Sequence, residues 1–186
     1  MDLYKPLIAL LAIVNPIGVI PFFIHFTAGF SREQRRRTIR VAARASALRD
    51  ELARELAATR PEVRAPASVL YLIWREPWMT VARDTYLSRM LARVNWQTLP
   101  EVEGGPSGAA RYPALRGDEP WLARVQRVLL SSEPYAFTQV HLAEAAALCP
   151  NALVQLVDGE RLSWYGPRAV AGLRYLRELA LVSPPH

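Results

Sequence analysis

Aromatic and charged side chains cluster directly after a short apolar run at residues 69–73. Trp74, Arg75 and Trp78 follow this run closely. Tryptophan faces bind flat, partly apolar ligands, and an arginine adds a fixed positive charge. The pattern therefore predicts a binding surface. The alternative is that both tryptophans belong to the core and that Arg75 pairs with Glu76 at the surface.

Two further apolar runs end in similar clusters. Residues 125–130 precede Glu133 and Tyr135, and residues 152–157 precede Trp164 and Tyr165 after a longer loop. In an open parallel sheet, ligands bind beyond the carboxyl ends of the strands. We therefore predict one ligand-binding site, formed by Trp74, Arg75, Trp78, Glu133, Tyr135, Trp164 and Tyr165.

These loops do not carry the residue combinations of common catalytic sites. They contain no nucleophile elbow, no phosphate-binding glycine loop and no histidine paired with a cysteine or serine. Cys149 is the only cysteine, so the chain cannot form an internal disulfide or a cysteine-based metal site. The sequence predicts a binding module and not an enzyme, with no catalytic residue, resident cofactor or metal site.

Apolar runs and helical repeats alternate along residues 68–186. The run at 69–73 is short, rich in β-formers and stopped by Pro77, which is typical of a buried strand. Apolar spacing predicts helices at 84–94, 138–148 and 167–181, and an irregular stretch at 101–118. Strands that alternate with helices predict an α/β domain with a small parallel sheet and flanking helices.

Residues 6–30 contain no Asp, Glu, Lys or Arg, and a helix of this length could cross a bilayer. Pro16 and Pro21 predict a kink in this span. A cleaved signal peptide fits less well, because no A-x-A site follows. Ser31 is placed as the N-cap of a basic helix, and positive residues beside a span stay cytoplasmic. We expect an inner-membrane protein with its amino terminus outside and the rest in the cytoplasm.

The net charge of +6 is concentrated in one segment. Residues 31–64 hold ten arginines and five acidic residues, whereas residues 65–186 hold twelve arginines and eleven acidic residues. A nucleic-acid-binding domain would carry its positive charge on the folded body, so we predict no nucleic-acid partner. The chain divides into a transmembrane and basic juxtamembrane helix (1–46), a connecting helix and linker (47–67) and an α/β lobe (68–186).

The segment I-V-N-P-I-G-V-I-P-F-F, followed by F-T-A-G-F-S-R-E-Q-R-R-R, resembles the start of the MarC-type family of inner-membrane proteins. The resemblance covers residues 1–46: the first span, its cytoplasmic loop and the beginning of the second span. Proteins of that family have several spans, and this chain has complete sequence for the first one only. The resemblance implies a membrane partner.

Three phrases, V-L-Y-L-I-W-R-E-P-W-M-T-V, V-L-L-S-S-E-P-Y-A-F and L-V-D-G-E-R-L-S-W-Y-G, resemble the C-terminal lobe of helical-backbone metal receptors. These solute-binding proteins serve ABC importers of cobalamin, haem and iron chelates, and hold the ligand between two lobes. The resemblance, over residues 47–181, implies that the seven predicted site residues face the cleft or its rim. It also implies that Glu133 could dock onto the importer permease.

The first lobe of such receptors has no counterpart in this sequence. A ligand that two lobes enclose would meet only one, so we expect cobalamin or another metal chelate to bind weakly or not at all. The chain is then a membrane-tethered partial solute-binding protein. The alternative is a MarC-type fragment fused to an unrelated soluble lobe without an evolved joint function.

Overall fold

A parallel β-sheet is the central element of the computed structural model, which describes residues 29–181. Within them four short strands form the sheet: β1 (Ala67–Leu72), β2 (Trp96–Thr98), β3 (Arg127–Ser131) and β4 (Leu153–Val157). Their order is β2-β1-β3-β4, and neighbouring strands are parallel. Strands β1 and β3 are central and largely buried, which explains why their sequences are continuously apolar.

The strand register brings the carboxyl ends of three strands to one edge of the sheet. Leu72 of β1 pairs with Leu130 of β3, and Ser131 of β3 pairs with Val157 of β4. The segments that follow these strands therefore leave the sheet side by side. This confirms the predicted α/β architecture and the alignment of the three strand ends.

Five α-helices lie in the described part of the chain: α1 (Arg32–Ala58), α2 (Tyr86–Ala92), α3 (Leu142–Leu148), α4 (Gly159–Ser163) and α5 (Arg168–Leu179). Helix α1 begins after Ser31, as predicted. The Ser31 amide donates to Gln34 Oε1 (2.8 Å), and the Gln34 amide donates to Ser31 Oγ (3.2 Å). This reciprocal capping box pairs two amides that the first helical turn leaves without partners.

The chain divides into two units between Arg54 and Glu55. In the second unit Glu55 forms ion pairs with Arg174 (2.8 Å) and Arg177 (3.1 Å) of α5. The Glu55 side chain is only 12% exposed, so both arginines approach a carboxylate that is largely shielded from water. These pairs hold the last turn of α1 against α5.

The predicted membrane span, residues 6–30, lies almost entirely outside the described residues. Across residues 29–181, none of the helices combines the length and apolar character that crossing a membrane requires. Helix α1 continues through position 46, where the sequence predicted a boundary between two helices.

The core lies on both faces of the central strands. Leu70, Leu130 and Cys149 belong to one buried cluster. Burial raises the pKa of the Cys149 thiol to about 11. Tyr71 is fully buried, and its hydroxyl donates to Ser131 Oγ (2.9 Å) at the end of β3. Burial raises the pKa of Tyr71 to about 12, so this phenol stays neutral and keeps its donor.

Two elements of the sheet unit differ from the predictions. Strand β2 was missed because three residues are too few for a periodic signal. Helix α4 was missed because Asp158-Gly159 was interpreted only as the end of a strand. Instead Asp158 Oδ1 accepts from the Arg161 amide (3.1 Å) and caps this short helix.

Candidate functional site

A cavity of about 660 Å³ opens where β1 and β3 end. Its lining includes five aromatic side chains, and we call it the aromatic cavity: Trp74, Tyr86, Tyr112, Trp164 and Tyr165. Arg111 and Glu133 are the charged residues among the described lining residues. Pockets for drug-sized ligands enclose about 300–1,000 Å³, so the volume suits a small molecule.

Trp74 is held in the cavity by the segment that follows β1. The chain folds back here, because the Met79 amide donates to the Trp74 carbonyl (3.1 Å) and the Ile73 amide to the Met79 carbonyl (2.9 Å). The Trp74 ring meets Tyr135 edge-on, with centroids 5.6 Å apart. Although anchored in this way, Trp74 remains 41% exposed, which leaves a ring face available to a ligand.

Trp164 and Glu133 join the segments after α4 and β3. The Trp164 indole Nε1 donates to Glu133 Oε1 (2.7 Å), a charge-assisted hydrogen bond. The guanidinium of Arg168 lies 4.3 Å from the Trp164 ring centroid on the α5 side. Trp164 is 46% exposed and its neighbour Tyr165 is 78% exposed, so both rings stand at the mouth of the cavity.

The turn that carries Glu133 packs against the first residue of α4. Ser131 Oγ donates to the Glu133 carbonyl (2.6 Å), and the Gly159 amide donates to Ser132 Oγ (2.9 Å). A Cβ atom on Gly159 would lie 2.3 Å from Ser131 Oγ and 2.7 Å from Glu133 Cγ. Only glycine allows α4 to approach the turn this closely.

Arg75 points to ion-pair partners instead of lining the cavity. Its Nε donates to Glu144 Oε2 (2.7 Å) and its Nη1 to Glu76 Oε1 (2.6 Å). The hydrogen bond that Arg75 donates to Glu144 is the main cause of a raised Arg75 pKa. The alternative of a surface pair with Glu76 is therefore what the structure shows, with Glu144 as a further partner.

Trp78 and Tyr135 also lie outside the cavity lining. Trp78 stacks on Phe137, with parallel rings 5.8 Å apart, and packs against the buried cluster. Tyr135 packs against the same cluster, and its hydroxyl lies 3.2 Å from His141 Nε2. Trp78 thus packs against the core, as the alternative interpretation predicted. Tyr135 packs between this cluster and the Trp74 ring. Ligand contact by Arg75, Trp78 or Tyr135 stays a prediction.

Three aromatic or charged residues of the cavity lining were not found from the sequence. Tyr86 is the first residue of α2, and Arg111 and Tyr112 belong to the irregular stretch 101–118. That stretch has no periodicity, so nothing indicated which of its side chains turn inward. The one signal in the sequence was that Arg111, a charged residue, stands next to the aromatic residue Tyr112 in a loop.

A second depression, of about 780 Å³, is lined by residues from the end of β4, from α4 and from α5. The charged groups around it already pair with each other. Asp158 bonds to Arg161 (3.0 Å), and Glu160 bonds to Arg168 (2.9 Å). This depression therefore offers a ligand little unsatisfied charge, and the aromatic cavity is the better candidate site.

The aromatic cavity is suited to binding a flat, partly apolar molecule. Its rings come from separate segments and can contact such a molecule over several surfaces. Across residues 29–181 no group of three or more His, Cys, Asp or Glu side chains could hold a metal ion.

Solved periplasmic binding proteins have a similar fold. The vitamin B12 binding protein BtuF of Vibrio cholerae is 18% identical with a TM-score of 0.50, over 78% of this chain and 55% of that one. The heme-binding protein RhuT from Roseiflexus sp. RS-1 is 18% identical with a TM-score of 0.52, over 79% and 58%. A periplasmic binding protein from Veillonella parvula is 14% identical with a TM-score of 0.56, over 76% and 52%.

These identities are low, so the likeness establishes a shared fold. The matched region spans little more than half the length of each of the three solved proteins. No protein-family model matches the sequence, and no curated protein matches it significantly. The comparisons do not support the resemblance of residues 1–46 to the MarC-type family.

Proposed function

We propose that this chain provides one lobe of a solute-binding protein for a metal chelate such as cobalamin, haem or an iron complex. One observation carries the proposal: aromatic side chains from separate segments meet in one cavity at the carboxyl edge of a parallel sheet. Ligands bind at this edge in open α/β sheets. The fold shared with periplasmic binding proteins supports the same function. We assign the chain a binding role and no catalytic one.

Binding by this chain alone is weak in our proposal. The exposed faces of Trp74 and Trp164 show that the cavity has an open side. A ligand enclosed by two lobes would lose about half its contacts here, which costs several kcal/mol and therefore orders of magnitude in affinity. We expect dissociation constants in the micromolar range or weaker.

Titration of the full chain with haem, cyanocobalamin or a ferric siderophore, followed by tryptophan fluorescence, tests the proposal. Trp164→Ala removes a cavity ring and should weaken binding about tenfold or more, because a buried aromatic contact contributes over 1 kcal/mol. Val140→Ala is the control, since Val140 is 73% exposed and does not line the cavity. A chain that binds none of these chelates at high micromolar concentration would refute the proposal.

Docking of an ABC importer permease through Glu133 is a second part of the proposal. The Glu133 carboxylate already accepts from Trp164 Nε1, so the permease would meet it at the cavity rim. Glu133→Gln keeps an acceptor oxygen for Trp164 but removes the charge. We expect this variant to lose association with the permease while it still binds the chelate. Unchanged association would exclude Glu133 as the docking group.

A membrane tether at residues 6–30, with the amino terminus outside and the lobe in the cytoplasm, remains a proposal from the sequence. Its support is the 25 consecutive residues without a formal charge, followed by a basic helix. Fractionation of cells should recover the chain with membranes, and protease added to intact spheroplasts should leave the lobe intact. Digestion of the lobe under these conditions would reverse the proposed orientation.

A further inference from the structure

Arg111 lines the aromatic cavity and makes no ion pair within the described residues. Among the described residues its side chain makes one hydrogen bond, from Nη1 to the Gly105 carbonyl (2.7 Å). Two other arginines near or in the same stretch are paired: Arg83 with Glu101 (3.3 Å) and Arg116 with Asp118 (2.9 Å). A half-buried guanidinium beside aromatic rings thus keeps donors for a ligand.

The backbone at Arg111 is fixed although it belongs to an irregular stretch. The Ala82 amide donates to the Arg111 carbonyl (2.8 Å), and the Gly104 amide donates to Asp84 Oδ1 (2.9 Å). A Cβ on Gly104 would lie 2.3 Å from Arg111 Cα, so the two backbone segments are in close contact. The hydrogen bond from Gly104 is the main cause of a lowered Asp84 pKa, and the charge of Arg111 adds to it. The wall of the cavity that contains Arg111 is therefore already held in place before a ligand binds.

Tyr86 supplies a second polar group to the same cavity. Its hydroxyl oxygen is buried, and no hydrogen-bond partner for it exists among the described residues. Burial raises the pKa of Tyr86, so the group remains a neutral donor. The ring meets Tyr165 edge-on with centroids 6.2 Å apart, which fixes its direction. Buried polar groups normally have a partner, and a ligand oxygen would provide one.

We propose that Arg111 and Tyr86 bind a carboxylate group of the ligand, so that the cavity selects acid-bearing chelates over neutral ones. This inference rests on the proposed chelate-binding function. The planar guanidinium fork matches a carboxylate in geometry, and the interaction is strong where water is partly excluded. Glu133 is the carboxylate in the cavity lining, and it is committed to Trp164 Nε1. It repels a second acid, so the acid group of the ligand binds at the Arg111 wall.

The test compares iron(III) protoporphyrin IX with its dimethyl ester, titrated into the full chain in the same cosolvent. The unmodified protein should bind the diacid at least about tenfold more tightly, because hydrogen bonds to charged groups are strong. Arg111→Gln should abolish this preference, and Tyr86→Phe should reduce it. Arg116→Gln is the matched control, because Arg116 lies in the same stretch but outside the cavity.

Binding of the ester serves as the check on folding. If Arg111→Gln leaves ester affinity unchanged and lowers diacid affinity to the same value, the carboxylate assignment is supported. Equal binding of diacid and ester by the unmodified protein would overturn this inference and leave the chelate-binding function standing. If neither porphyrin binds, both the chelate-binding function and the carboxylate assignment are overturned for porphyrin ligands.

Discussion

Gly159→Ala is the sharpest test of how the site is assembled. The added methyl would lie 2.3 Å from Ser131 Oγ and 2.7 Å from Glu133 Cγ, so these side chains must shift or α4 must move away from the turn. Overpacking of this kind costs about 1–3 kcal/mol. With a urea m-value of about 2 kcal/mol/M, a loss of about 2 kcal/mol lowers the unfolding midpoint by about 1 M. The Trp164 to Glu133 hydrogen bond should lengthen as well, which a shift in tryptophan emission would report.

Gly29→Ala is the matched control, because no atom of residues 29–181 lies within 4 Å of the position where its Cβ would stand. We expect its urea midpoint to stay within error of the unmodified protein. Ligand titration of both variants then separates stability from function, since Gly159→Ala should also weaken binding at the cavity. A Gly159→Ala protein with the same midpoint and emission as Gly29→Ala would refute the close approach of α4 to the Glu133 turn.

Three further predictions concern the same framework. The pKa of Asp84 is lowered in the folded protein, so its stabilising effect is complete above its unfolded pKa of about 3.9 and is lost as pH falls through the folded value. In unfolding experiments at decreasing pH, the unmodified protein should therefore lose its stability advantage over Asp84→Asn in this range. Gly104→Ala should detach the 101–118 stretch, seen as faster proteolysis within it, whereas Gly29→Ala should not. Tyr71→Phe removes the hydrogen bond to Ser131 and should cost about 1–2 kcal/mol in urea unfolding, without altering ligand affinity directly.

The sheet and the edge that carries the candidate site could be predicted because they follow from local composition. A buried central strand must be apolar along its whole length, so β1 and β3 are visible as uninterrupted runs. Parallel strands then bring their carboxyl ends to one edge, which is why Trp74, Glu133 and Trp164 could be placed together before any coordinates. All three line the cavity.

The directions of side chains within the loops could not be predicted. Trp74 and Trp78 are four residues apart, yet one lines the cavity and the other stacks on Phe137 in the core. The cause is the backbone pairing of Trp74 with Met79, which reverses the chain between them. Such pairing depends on tertiary neighbours and leaves no periodic trace in the sequence.

For the same reason the cavity wall that contains Arg111 could not be predicted from the sequence. Arg111 is positioned by a hydrogen bond from the Ala82 amide, and Gly104 by a hydrogen bond that its own amide donates to Asp84. Both partners lie 20 or more positions away along the chain. No spacing rule links these positions. In contrast, Thr85 as the N-cap of α2 is a local signal, since its side chain accepts from the Ser88 amide three residues later.

The buried thiol of Cys149 can be used to measure how often the core of the lobe opens. Cys149 has a pKa of about 11 and no access to solvent, so a thiol reagent reacts with it only while the surrounding core is transiently open. The labelling rate therefore reports the opening equilibrium of native protein, and one cysteine gives one unambiguous signal. A ligand that binds only the closed form slows labelling by the factor 1 + [L]/Kd. The affinities of candidate ligands can thus be ranked without relying on the absorbance of the ligand itself.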